Sequence, residues 1–123
     1  MLAPHPDDFD AMGLSLLQFH RNHHPIELSV ATSGASGVLD DEDRPRCPEE
    51  KGHLREREQL RSCRFFGLPE DRVRFLRLKE DDQGDPEDSP DNQAQILGEA
   101  RRIRPVLICL PHGHDTNPCL LYT

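Results

Sequence analysis

His5, Asp7 and Asp8 stand together in the run Pro4-His5-Pro6-Asp7-Asp8. An imidazole and a carboxylate three residues apart can both reach one divalent ion, and zinc accepts a mixed His and carboxylate set. Asp7, beside Asp8, would then lie close enough to take a proton from water activated by that ion. The acids Asp7, Asp8 and Asp10 equally suit the start of a helix, where side-chain oxygens cap free N–H groups. Both a metal site and a set of helix caps fit these residues. A second polar cluster, Pro111-His112-Gly113-His114-Asp115, follows an apolar run late in the chain.

These groups need elements to bring them together. Met12, Leu14, Leu16, Leu17 and Phe19 predict a helix over 10–23, with Asp10 as its N-cap and Pro25 as its end. Residues 26–32 predict a strand, and the Ser-, Gly-, Asp- and Pro-rich stretch 33–48 a loop. Pro48 and its acidic neighbours open a second helix to about Phe66, closed by Gly67 and Pro69. A strand over 73–78, an acidic loop over 79–91 and a helix over 92–103 follow. Val106 to Leu110 is continuously apolar, as in a strand covered on both faces. With Met1-Leu2-Ala3 as a strand stub, strands alternate with helices, which predicts an α/β fold with a mostly parallel sheet. Ligands in such sheets bind beyond the carboxyl ends of the strands. The segments 4–8, 32–34 and 111–115 are therefore expected to converge at one rim.

The remaining signals are weaker. Ser33-Gly34-Ala35-Ser36-Gly37 could cradle an anion on backbone N–H groups, but without a GxGxxG pattern or a Walker lysine it reads as a bend lining the pocket. His20, His23 and His24 read as surface cations at a helix C-terminus rather than a second metal site. Residues 79–91 hold seven acids against Lys79, and they lack the order of a calcium loop, so a solvated turn is expected. Arginines at 55, 57, 61 and 64 interleave with Glu56 and Glu58 as on an exposed, ion-paired helix face.

Length and composition bound the rest. The 123 residues suit one domain, and 34% hydrophobic content allows a modest core. The net charge of −8 argues against nucleic acid and anionic lipid as partners, and no stretch approaches the ~20 apolar residues of a membrane span. Charge arrives by Asp7, unlike a secretory leader. Cys47, Cys63, Cys109 and Cys119 form no CxxC pair, so reduced thiols and a cytoplasmic location are expected. Nothing here sets an oligomeric state.

Pro4-His5-Pro6-Asp7-Asp8 resembles the opening motif of the PIG-L deacetylase superfamily, also called LmbE-like. Arg55 and Glu58, twelve and nine residues before Gly67, are similar to the R-x-x-E helix of that family, and residues 110–118 to its second active-site loop. The resemblance implies a Rossmann-like three-layer sandwich, here incomplete at both ends. It also implies a zinc-dependent hydrolase that removes the acetyl group from an N-acetylglucosamine-type conjugate. His5 and Asp8 would be metal ligands and Asp7 the general base to metal-activated water. Asn117 would stand where a His often polarises the oxyanion, and Arg55, His112 and Asp115 would contact substrate or brace the site. Leu120 occupies the place of the third metal ligand, and Phe9 replaces a Glu expected at the rim. The alternative implied by Leu120 is a truncated, catalytically inactive member. A third reading is an anion-binding module of the same fold.

Overall fold

Three short parallel strands organise the chain, whose computed structural model describes residues 1–40, 47–82 and 84–110. They are β1 (Leu2–Ala3), β2 (Leu28–Val30) and β3 (Val73–Phe75), in the order β1-β2-β3. Ala3 pairs with Val30, and Val30 with Phe75. The helices are α1 (Asp8–Ala11), α2 (Gly13–Arg21), α3 (Pro48–Phe66) and α4 (Pro90–Ile103).

Successive side chains of a strand point to opposite faces, and β2 uses this to join two layers. Leu28 and Val30 are fully buried among Phe9, Leu16, Cys63 and Leu68, which come from the α1–α3 side. Ser29, between them, donates its hydroxyl to Glu99 of α4 at 2.9 Å. Helices therefore cover both faces, giving a three-layer α/β arrangement around the parallel sheet that the alternating pattern predicts.

The helix ends follow their local chemistry. Pro48 opens α3 with Glu49 and Glu50 in its first turn, where the dipole favours acids. Gly67, at φ 96°, closes it by taking the left-handed conformation that places its N–H on Cys63 and Arg64 carbonyls. Ser89 caps α4 by accepting the Asn92 N–H.

Several expectations are corrected. The helix predicted over 10–23 begins at Asp8 and is interrupted at Met12, just before Gly13, so it becomes α1 and α2. Gly13 is a weak helix former. Asp10 is consequently inside α1 rather than at its N-cap. Phe9 is 1% exposed and packs edge-on against Phe66 with ring centroids 5.0 Å apart, so it belongs to the core and not to the rim. The strands predicted over 26–32 and 73–78 are shorter. Leu76 and Leu78 still donate to Val30 and Ala31, but Arg77 between them has φ 51° and interrupts the ladder.

Val106–Leu110 forms no assigned strand, and Val106, Leu107, Ile108 and Leu110 are exposed rather than covered. Its backbone tie is the Leu2 N–H donating to the Cys109 carbonyl at 3.1 Å. Cys109 thus stands beside β1 on the edge opposite β2, and among the described residues the apolar side chains around it are left uncovered. The acidic segment is also less open than a solvated turn. Asp85 is buried, the Glu80 carboxylate accepts the Ser33 N–H at 2.6 Å, and Asn92 bonds the backbone of Lys79 and Glu87.

The two layers can be tested separately. Phe9→Ala should cost about 3–5 kcal/mol, as large-to-small core changes do, read as a lowered urea midpoint at unchanged slope. On the opposite face, the Arg102 hydrogen bond holds the Glu99 carboxyl below its ordinary range against the opposing effect of burial, with help from Ser29 and Arg74. A depressed folded value means this stabilisation is full above the unfolded carboxyl range and is lost as pH falls through the folded value. The urea midpoint should therefore drop on acidification below about pH 4.3, and Glu99→Gln should flatten that part of the drop while lowering stability at neutral pH.

Candidate functional site

The chain leaves β1 at Ala3 and enters Pro4-His5-Pro6, whose prolines are fully buried. Pro4 and Pro6 have fixed φ and no N–H to satisfy, so they suit a buried exit from a strand. The Pro4 carbonyl accepts from both the Thr32 N–H and the Thr32 hydroxyl at 2.9 Å, which ties this exit to the end of β2. Asp7 then takes φ 101° and ψ −23°, a left-handed conformation uncommon outside glycine, and α1 begins at Asp8.

His5 and Asp8 face one another across this turn. His5 Nδ1 lies 3.7 Å from Asp8 Oδ2, and the same oxygen accepts the His5 N–H at 2.8 Å. Their side chains are 13% and 23% exposed, so the pair sits at the surface of the core and not within it. Two donors each about 2.0–2.2 Å from one zinc ion can be separated by this distance. The pair therefore fits two positions of a zinc site. Among the described residues no group of three or more His, Cys, Asp or Glu is gathered to complete one.

Asp7 points another way. Its carboxylate is 62% exposed, and its Oδ1 accepts from Arg55 Nη2 at 3.0 Å. The same Arg55 nitrogen donates to the Pro6 carbonyl at 2.7 Å, so one guanidinium braces both backbone and side chain of the motif. Asp7, Asp10, Arg55, Glu58 and Gln59 line a small cavity of about 190 Å³ with Pro6. The N-cap residue Asp7 makes no side-chain cap hydrogen bond, whereas Asp8 accepts the His5 N–H just ahead of α1 and Asp8 and Asp10 are the acids of its first turn. The Arg55 Nε is buried without a hydrogen-bond partner among the described residues.

The loop at 33–37 is indeed a bend against this site and not an empty anion cradle. The Glu80 carboxylate already occupies the Ser33 N–H, and a 3₁₀ turn over Ala35–Gly37 follows. Gly34 sits at φ 62° with its missing Cβ position 2.9 Å from Pro6 Cδ and 3.3 Å from Arg55 Nε. Gln59 and Glu80 carry structural roles at the rim that residue-type reasoning missed. For Gln59 there was a signal: an uncharged amide on the same helical stripe as Gly52 and Cys63, both buried.

His112, Asp115 and Asn117 lie outside the described residues, as do His114, Cys119 and Leu120. Their segment follows residue 110, and Cys109 stands beside β1 on the edge opposite β2. His5 to Asp8 thus leave a strand flanked on one side by β2 and on the other by Cys109, just ahead of 111–118. A crevice between such neighbours is where doubly wound sheets bind ligands. His20, His23 and His24 surround an open cleft near residues that precede β2 and β3. His20 packs on Phe66 and His24 on Phe19, in keeping with surface positions. Among the described residues no helix is long and apolar enough to cross a membrane.

Comparisons with known proteins match this arrangement. A family model described as PIG-L, GlcNAc-PI de-N-acetylase, matches residues 1–118. The fold is similar to that of the N,N'-diacetylchitobiose deacetylase from Pyrococcus horikoshii, solved with its inhibitor MPG, with a TM-score of 0.79 at 18% identity. It is also similar to the conserved protein TT1542 from Thermus thermophilus, with a TM-score of 0.73 at 24% identity. The matches cover 98% and 97% of this chain but 43% and 48% of those chains, so it spans about half their length. No curated protein matches the chain.

Gly34→Ala tests how tightly the rim is packed. A left-handed alanine costs about 1–2 kcal/mol, and its methyl must also displace Pro6 or Arg55. Chemical denaturation should show at least that loss.

Proposed function

We propose, on the premise that this chain belongs to the PIG-L family, that it carries the motif half of a metal-dependent hydrolase that removes the acetyl group from an N-acetylglucosamine-type sugar conjugate. The observation that carries this reading is the turn after β1. His5 Nδ1 and Asp8 Oδ2 lie 3.7 Å apart, and the exposed carboxylate of Asp7, on the same turn, is held by Arg55.

In this reading His5 and Asp8 hold zinc. When bound, the ion would supply Lewis-acid polarisation of the amide carbonyl and acidify water. Asp7 is the general base. Arg55 engages Oδ1 and so fixes the plane of the carboxylate, leaving Oδ2 to accept a proton from the attacking water. The same carboxyl then returns that proton to the leaving nitrogen as the C–N bond breaks, giving acetate and a free amine. Asn117 donates to the developing oxyanion, where one such donor is typically worth about 3–4 kcal/mol. His112 and Asp115 contact the sugar from the second loop, while Arg55, already bonded to Pro6 and Asp7, braces the motif. The absence of any CxxC pair among Cys47, Cys63, Cys109 and Cys119 supports a cytoplasmic setting.

The second reading, a truncated member without turnover, is favoured by Leu120, which cannot ligate. One pair of measurements separates them. Purified protein with about one equivalent of zinc that releases acetate from N,N'-diacetylchitobiose supports the hydrolase; protein with neither supports the inactive member. For the hydrolase, Asp7→Asn should reduce acetate release by about 10²–10⁴-fold, the usual worth of a general base, with zinc retained. His5→Ala or Asp8→Ala should lose the zinc as well, and a chelator should reproduce that loss.

A further inference from the structure

We propose that Gln59 of α3 is a positioning residue for Asp7. Its side-chain oxygen locks the left-handed peptide from which the Asp7 carboxylate and the His5–Asp8 pair diverge. The proposal rests on the reading of Asp7 as the base.

The Asp7 N–H lies where the chain enters α1, among the groups that no carbonyl of that helix can satisfy. The Asp7 side chain itself makes no cap hydrogen bond to α1. Gln59 Oε1 accepts it at 2.8 Å, from 52 residues away in sequence. Gln59 is 2% exposed, and a buried amide is costly unless bonded. Its second group is also committed, since Nε2 donates to Cys63 Sγ at 3.3 Å. Only the oxygen can meet an N–H donor, so the orientation of the amide is decided by the Asp7 peptide on one side and the thiol on the other. Burial raises the pKa of that thiol, so it stays a neutral partner.

Arg55 and Gln59 are one turn apart on α3 and so share a face. Between them they hold Asp7 at two points, its carboxylate and its N–H. If the peptide relaxed to negative φ, the direction of the Asp7 Cα–Cβ bond and the entry into Asp8 would change together. One amide on a neighbouring helix therefore sets the angle between base and metal pair. It touches neither substrate nor ion and acts through Asp7 alone.

The test uses the full chain loaded with zinc, acetate release from N,N'-diacetylchitobiose, and amide hydrogen exchange at Asp7 by NMR. Gln59→Leu should lower kcat by about 10–100-fold, as loss of a supporting partner does, with KM near that of the parent. The Asp7 N–H should exchange faster in the same variant. Gln59→Glu keeps an acceptor oxygen and should restore Asp7 protection and much of kcat. Unchanged kcat and unchanged Asp7 exchange in Gln59→Leu would overturn the proposal. So would an equal loss in both variants that tracks a lowered urea midpoint, which marks a merely structural residue. If Gln59→Leu does not fold, exchange and kcat in Gln59→Glu decide by themselves. A parent protein that releases no acetate refutes the proposed function only, and Asp7 exchange still tests whether Gln59 holds that peptide.

Discussion

A single strained peptide governs this structure. Asp7 occupies a left-handed conformation directly after a strand and directly before a helix. Such positions cost of order 1–3 kcal/mol and persist only where surroundings over-determine them. Here the surroundings are three: buried Pro6 in front, Gln59 on the N–H and Arg55 on the carboxylate. Arg55 is itself wedged against Gly34, whose loop is tethered through Ser33 to Glu80. The turn is therefore held from β2, from α3 and from the acidic segment at once. Each support comes from a different stretch of sequence, which is why the motif keeps one shape.

The two faces of the sheet divide the labour. The α1–α3 side is apolar, and its fully buried Phe9, Leu28, Val30 and Cys63 supply most of the hydrophobic stabilisation. The α4 side is polar: Ser29, Glu99 and Arg102 are linked by hydrogen bonds, and Arg74 and Glu27 flank them as ion pairs. A buried serine opposite a carboxylate is tolerated because each is satisfied by the other. This asymmetry places the site above the face where packing is firm, so the exit of β1 inherits the rigidity of the core.

The alternation of helices and strands was readable in the residues because it rests on local pattern. Apolar runs separated by Pro and Gly declared β2, α3, β3 and α4 close to where they stand, and Gly67 ended α3 through a backbone preference that needs no distant partner. The nearness of His5 to Asp8 was readable for the same reason: three residues of chain cannot carry them far apart. Boundaries were less legible. The break at Met12 depends on where α1 is forced to start, and the exposure of Val106, Leu107, Ile108 and Leu110 depends on what packs beside them. An apolar run announces a wish for cover without saying that cover is at hand.

What the residues alone determined, then, is the candidate polar groups of the motif, their local spacing and the α/β class of fold, all properties of near neighbours along the chain. Only the tertiary structure decided that Phe9 turns inward to Phe66 and that Arg55 reaches Asp7 rather than solvent. It alone brought the Gln59 amide under the Asp7 N–H and filled the Ser33 loop with Glu80. Those choices join residues far apart in the chain, 52 positions in the case of Asp7 and Gln59. Nothing local encodes them, because each arises from which helix face the core pulls inward.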